Sequence, residues 1–213
     1  MRAVIFDMDG VLADSEPLIC AAAREMFRER GVIVQPEDFL PFVGAGENRY
    51  IGGVAEKYGV ALDLVEAKAR TYELYLRMVP ERLFVFPGAV ALVNACRGAG
   101  WRCAIASSAD RVKVDANLRK IGLPFPSWQV VVTAEDVARR KPDPMIFLKA
   151  SERLGVAPAD CTVVEDALNG VAAAKAAGMR CVAVATTFPA EQLSQADVVR
   201  ATLAEVTLAD LLG

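Results

Sequence analysis

The chain has 213 residues, 54% of them hydrophobic, and a formal charge of −3 at pH 7. These values describe a globular chain with ample core, one large domain or one domain with a small insert, and they argue against nucleic acid as a partner. The sequence contains no histidine, which excludes Ser-His-Asp hydrolysis, phosphohistidine chemistry and histidine-ligated metals at once, so catalysis has to run on carboxylates, hydroxyls, thiols or lysine.

No basic lead precedes the first apolar run at Ala3, and no apolar run approaches membrane-spanning length. The expectation is a monomeric chain of the cytoplasm, or of an organelle interior if it is excised from a larger precursor, without membrane insertion. Cys20, Cys96, Cys103, Cys161 and Cys181 are odd in number, scattered and mostly set in apolar runs. That suits reduced core thiols better than a disulfide framework or a zinc site.

Ala3-Val-Ile-Phe6 reads as a short strand buried on both faces, and it stops at Asp7-Met-Asp9-Gly10. Residues two apart on a strand share a side, so Asp7 and Asp9 can face one site, while Gly10 lets the chain turn. The carboxyl ends of strands are where open α/β sheets bind ligands. The competing reading is a strand-ending turn, because Asp-Gly is common turn chemistry.

Asp14-Ser15-Glu16-Pro17 starts a helix that runs to about Arg30 and ends at Gly31. Helical patterns follow at Glu47 to Tyr58 and at Asp63 to Met78, the second with Val65, Ala69, Tyr72 and Leu76 near one face. Nothing between residues 36 and 80 reads as a strong strand. A helical block directly after the first strand is an insertion rather than a crossover helix. Residues 15–82 are therefore predicted to form a helical cap, inserted in a core domain of residues 1–14 and 83–213.

From Pro87 the pattern alternates regularly, with helices predicted at 88–98, 110–121, 143–154 and 170–177 and strands at 102–106, 129–133, 161–165 and 180–185. A short strand near 196–199 and a last helix at 208–212 close the chain. The predicted fold class is α/β, a doubly wound parallel (Rossmann-like) sheet with an inserted helical cap domain.

The later strand ends carry chemistry of their own. Ser107-Ser108, followed by Asp110 at a helix start, brings a hydroxyl and free backbone N–H groups to a helix N-terminus, which is either an anion site or a plain N-cap. In Arg139-Arg140-Lys141-Pro142-Asp143-Pro144 the extended Lys141 can reach a phosphate, whereas Arg139 and Arg140 read as a solvated basic loop. Val163-Val164-Glu165-Asp166 repeats the first motif, a buried strand tipped with acids. Carboxylates gathered in this way are costly to bury without a cation, so Asp7, Asp9, Glu165 and Asp166 imply a hard, oxygen-preferring ion, best fitted by Mg2+.

Taken in order, Asp7-Met-Asp9-Gly, Ser107, Lys141-Pro and Glu165-Asp166 resemble the four motifs of the haloacid dehalogenase superfamily, in its phosphatase and β-phosphoglucomutase-like branch, over residues 3 to about 186. The resemblance implies that Asp7 is the nucleophile that forms an aspartyl phosphate and Asp9 the general acid and base. Ser107, with Ser108, and Lys141 would bind phosphoryl oxygens. Asp7, the Asp9 carbonyl, Glu165 and Asp166 would hold magnesium, and the cap would close over a small phosphorylated metabolite, a sugar phosphate. The stretches 106–118 and 52–58 are further similar to the hydrolase domain of a multidomain plant thylakoid protein, which leaves a regulatory interaction domain with vestigial activity as an alternative.

Two motifs are decoys. Cys96-x5-Arg102 has the spacing of thiol phosphatases but the wrong polarity, a helix before it and a strand after it. Gly44-Ala-Gly46-Glu-Asn-Arg49 resembles half a nucleotide loop but follows no strand, so it reads as a helix entry that leaves Arg49 as a candidate substrate contact. The mutases of the branch place a histidine and a lysine in the cap; the histidine position falls on Ile19 and the lysine position close to Thr71, with Lys68 and Arg70 near it. The expectation is hydrolysis over phosphoryl transfer.

Overall fold

In the computed structural model, which describes residues 1–44 and 46–212, the opening apolar run forms β1 (Ala3–Phe6) with all four residues buried. A continuous apolar run is what a strand covered on both faces requires. β1 sits in the middle of a six-stranded, wholly parallel sheet of order β5-β4-β1-β6-β7-β8, with β4 Arg102–Ala106, β5 Val130–Val132, β6 Cys161–Glu165, β7 Arg180–Val184 and β8 Val198–Arg200. The chain builds outward from β1 first on one side and then on the other, so β1 is the switch point.

Helices α4 (Ala89–Gly98), α5 (Arg111–Ile121), α6 (Met145–Leu154) and α7 (Leu168–Ala176) alternate with these strands. Ala3 and Ile5 of β1, with Ala104, Val163 and Cys181, pack against Ile146, Phe147 and Ala150 of α6 and Val171 and Ala174 of α7. Phe6, one residue out of phase, meets Trp128 edge to face at 6.1 Å. A two-stranded antiparallel pair, β2 (Ala13–Asp14) with β3 (Phe84–Val85), joins the points where residues 15–83 leave and rejoin the sheet-bearing part of the chain.

The predicted helix over residues 208–212 does not form. Asp210 accepts hydrogen bonds from the Thr207 N–H (2.9 Å) and Oγ1 (2.9 Å), and the Leu211 carbonyl accepts one from Thr162 Oγ1 (2.9 Å). The backbone is thus spent on side chains, as Thr and Asp favour, and a 3-10 turn at Leu203–Glu205 is the last helical piece among the described residues.

Contacts divide the chain into two units, Met1–Asp14 with Phe84–Gly213, and Ser15–Leu83. The second unit consists of α1 (Glu16–Glu29), a 3-10 segment Pro36–Phe42, α2 (Glu47–Tyr58) and α3 (Leu64–Arg82). Phe39 joins Phe27 and Tyr50 at ring distances of 6.3 and 4.7 Å, and Tyr75 of α3 is fully buried.

α3 differs from expectation twice. It runs through Pro80 to Arg82, because in the last turn proline forfeits a single bond and the Leu83 N–H still reaches the Val79 carbonyl at 3.2 Å. Its buried residues are Ala67, Thr71, Tyr72, Leu74, Tyr75 and Val79, so Tyr72 faces inward as expected, while Val65 is 79% exposed and Ala69 and Leu76 are exposed too. Thr71 hides the true face from an apolar count, since its hydroxyl is satisfied locally by the Ala67 carbonyl at 2.8 Å. No helix among the described residues is long and apolar enough to cross a membrane.

Candidate active site

The sheet register assembles the site. Phe6 pairs with Ile105 and Val164, so the next residues along the three central strands are Asp7, Ala106 and Glu165. The Asp7 N–H donates to the Val164 carbonyl at 2.9 Å, which fixes Asp7 beside the tip of β6. Asp7, Glu165 and Asp166 are all buried, and each offers a carboxylate oxygen within 4.8 Å of the other two.

Lys141 enters this group from the β5–α6 connection. Its Nζ stands 2.6 Å from Asp7 Oδ1 and 2.6 Å from Glu165 Oε1, and 4.8 Å above the Phe147 ring. The other Glu165 oxygen accepts from the N–H groups of Asp166 (2.7 Å) and Ala167 (2.8 Å), just ahead of α7.

Two glycines make room for the acids. A Cβ on Gly10, whose φ is +80°, would collide with the Asp166 carboxyl, and one on Gly170 would fall inside the Glu165 carboxyl. Three carboxylates thus share one ammonium. Burial pushes the Asp7 carboxyl up to about 7 against the pull of Lys141, and burial with the Glu165 and Asp7 charges pushes Asp166 well above the usual carboxylate range. Burial works against the Lys141 charge, but Asp7 and Glu165 outweigh it and hold the ammonium above its ordinary value. A buried all-oxygen donor set with excess negative charge fits a hard divalent cation.

Asp9 lies apart from this trio. The strand has ended by Asp7, so alternation no longer sets the side chains. Asp9 Oδ2 accepts from Lys113 Nζ at 3.0 Å, and Asn117 Nδ2 stands 3.5 Å from Oδ1. Its charge is still close enough to push Asp7 further up. Lys113 and Asn117 were not among the residues expected from sequence, and the signal that could have found them is a lysine and an asparagine at i, i+4 on the helix face that carries Val114, Leu118 and Ile121 inward.

Ser107 is buried at the tip of β4, where the ladder extends one residue past the strand and its N–H donates to the Val132 carbonyl at 3.0 Å. Its Oγ accepts from the Ala109 N–H at 3.1 Å, leaving the hydroxyl proton for an incoming anion. Ser108 is half-buried, and its carbonyl accepts from Arg140 at 2.8 Å. Arg140 is therefore tied to the site's edge rather than merely solvated, whereas Arg139 is exposed and pairs with Asp143.

Arg49 belongs to the second unit. Its guanidinium pairs with Glu56 at 2.8 Å and lies over the Phe42 ring, with 52% of the side chain exposed. Of the loop that leads to it, Ala45 lies outside the described residues. The five cysteines are unbridged, four of them buried, and Cys96 lies inside α4 with β4 following, the polarity that excludes a thiol-phosphatase loop.

A family model described as haloacid dehalogenase-like hydrolase matches residues 1–178. The chain is 46% identical over 217 residues to the chloroplastic protein SUPPRESSOR OF QUENCHING 1 of Arabidopsis thaliana, covering 100% of this chain but only 21% of that protein. It is 32% identical to Hexitol phosphatase A of Escherichia coli, over 97% of this chain and 94% of that one. Among solved structures, CbbY from Rhodobacter sphaeroides in complex with phosphate superposes with a TM-score of 0.91 at 29% identity, covering 99% of each chain.

Proposed function

The chain belongs to the haloacid dehalogenase-like hydrolases, and we propose that it is a magnesium-dependent phosphatase that hydrolyses a small phosphomonoester, a sugar phosphate, through a phosphoaspartate on Asp7. The observation that carries this reading is the buried Asp7 carboxylate, held 2.6 Å from Lys141 and grouped with Glu165 and Asp166 at the switch point of a parallel sheet. The phosphatase names of relatives such as Hexitol phosphatase A supply the substrate class.

In this reading an Asp7 oxygen attacks phosphorus and the ester P–O bond breaks, with Asp9 giving its proton to the departing alkoxide. Water then attacks the phosphoaspartate, passes a proton to Asp9, and the Asp7–phosphorus bond breaks to release inorganic phosphate. Lys141 and the Ser107 hydroxyl bind oxygens of the transferring group, with Ser108 at its edge. Asp7, Asp166 and the Asp9 carbonyl, with Glu165 as direct or outer partner, would hold magnesium, which supplies charge neutralisation for the phosphoryl oxygens. The unit Ser15–Leu83 is the helical cap that selects the substrate, with Arg49 among its candidate contacts.

The test is phosphate release from a generic aryl phosphate. It should require magnesium and vanish in Asp7→Asn while the circular dichroism spectrum is unchanged. Full activity of that variant, or of the wild type in excess chelator, would overturn the proposal.

A further inference from the structure

We propose that Lys113, supported by Asn117, is a positioning residue that fixes the Asp9 carboxyl for its proton transfers; this rests on the acid and base role given to Asp9 above. Lys113 lies in the first turn of α5, the end of a helix that disfavours positive charge, and it is only 4% exposed. An ammonium buried there is costly unless an anion meets it, and a methionine of similar volume would fill the space without that cost. The anion it meets is Asp9, whose two oxygens are addressed separately, Oδ2 by Lys113 at 3.0 Å and Oδ1 by Asn117 at 3.5 Å.

Lys113 and Asn117 are one turn apart on the same rigid helix, so together they set both the place of the carboxyl and its rotation. The Asp9 side chain nonetheless keeps 30% exposure, as a group that exchanges protons with substrate and water must. Each of the two acids of the first motif therefore has its own buried lysine, Asp7 with Lys141 and Asp9 with Lys113. Asp9 is aligned from within the sheet-bearing unit, before any substrate binds.

The experiment compares wild type, Lys113→Met and Lys113→Arg with magnesium on a series of phosphomonoesters. The series runs from nitrophenyl phosphate, whose leaving group needs little protonation, to alkyl phosphates, whose alkoxide must be protonated as it departs. Lys113→Met should lose at least about tenfold more kcat/KM on the alkyl esters than on the nitrophenyl ester, and Lys113→Arg should recover part of that difference. In an Asp9→Asn background, Lys113→Met should add no leaving-group-dependent loss, because the carboxyl it positions is gone.

An equal loss across the series, an unchanged series, or an undiminished leaving-group effect in the Asp9→Asn background would overturn the assignment. Melting curves accompany each variant, and if Lys113→Met does not fold, Lys113→Arg and Asn117→Leu decide by the same comparison. A wild type that turns over no phosphomonoester overturns the hydrolase reading and this role with it. Failure of the Lys113 role alone leaves wild-type turnover intact.

Discussion

Gly170→Ala sets two magnitudes against each other. Gly170 is the third residue of α7 and has ordinary helical backbone, so helix propensity alone favours alanine by about 1 kcal/mol. The new Cβ, however, would occupy the place of the Glu165 carboxyl. Glu165 is 1% exposed and holds the N–H groups of Asp166 and Ala167 at 2.7 and 2.8 Å and Lys141 at 2.6 Å. Hydrogen bonds to a charged group are worth about 1.5–3 kcal/mol each, and a buried ion pair that loses a partner costs about 3–5 kcal/mol. Even if half of this is recovered by a shift of the helix, the loss exceeds the propensity gain, and the variant should be less stable by about 2–4 kcal/mol. Urea denaturation without metal measures that difference, and turnover should fall with it because Lys141 loses one of its two carboxylates. A variant as stable as wild type or more so, with unchanged turnover, would show that Glu165 is not locked as described.

The metal-free chain should lose stability as pH rises from about 4 to about 7. Asp7 holds its proton up to about 7 in the folded chain against 3.8 ordinarily, so the folded state binds more protons across this window, a difference worth about 4 kcal/mol. Lys141 stays charged throughout and adds no slope there; urea midpoints in chelator that are flat or rising over that range would refute this, and saturating magnesium should flatten the fall. Asp166→Asn removes a charge that burial and two neighbouring carboxylates oppose, so near pH 8 it should melt no lower than wild type without metal, yet require more magnesium for half-maximal turnover; a lower melting temperature with unchanged magnesium dependence would contradict it. Finally, incubation with magnesium, β-glucose 1-phosphate and a trace of the 1,6-bisphosphate should release inorganic phosphate or nothing, whereas rapid formation of glucose 6-phosphate without phosphate release would favour a mutase.

Much of the site was legible because parallel strands are buried on both faces and read as unbroken apolar runs. A run that stops in charge marks both the end of the strand and the place of the site, as at Phe6-Asp7 and at Val164-Glu165-Asp166. The bounds of β4 and β6 follow from sequence for the same reason.

What stayed hidden depends on partners distant in sequence. The Ser107 N–H is taken by a strand whose register no local pattern reveals, and Thr71 counts as polar until its hydroxyl is seen bonded to its own helix. Lys113 reads as one more charge on a helix that also carries Arg111, Arg119 and Lys120; only its burial against Asp9, 104 positions earlier in the chain, separates it from them. Nor does sequence show that Gly170 is small in order to clear a carboxyl rather than to end or bend a helix.

These particulars share one electrostatic logic. Three buried carboxylates beside a single ammonium are a poor choice for stability, since an apolar cluster of the same volume would pack at the strand tips without desolvation. The sheet meets that cost with backbone: Glu165 is tied to two N–H groups ahead of α7, and Gly10 and Gly170 surrender their side chains so that the acids fit. Burial and the neighbouring charges push both Asp7 and Asp166 above the ordinary carboxylate range. In the reading proposed above, a divalent ion would offset that shift and favour the Asp7 carboxylate that attacks phosphorus, while Asp9, paired with Lys113 at 3.0 Å, would keep its side chain for proton transfer. The cluster that costs stability would then be the one that favours the cation, so a substitution that relieves its charge should spare the metal-free fold while weakening magnesium binding.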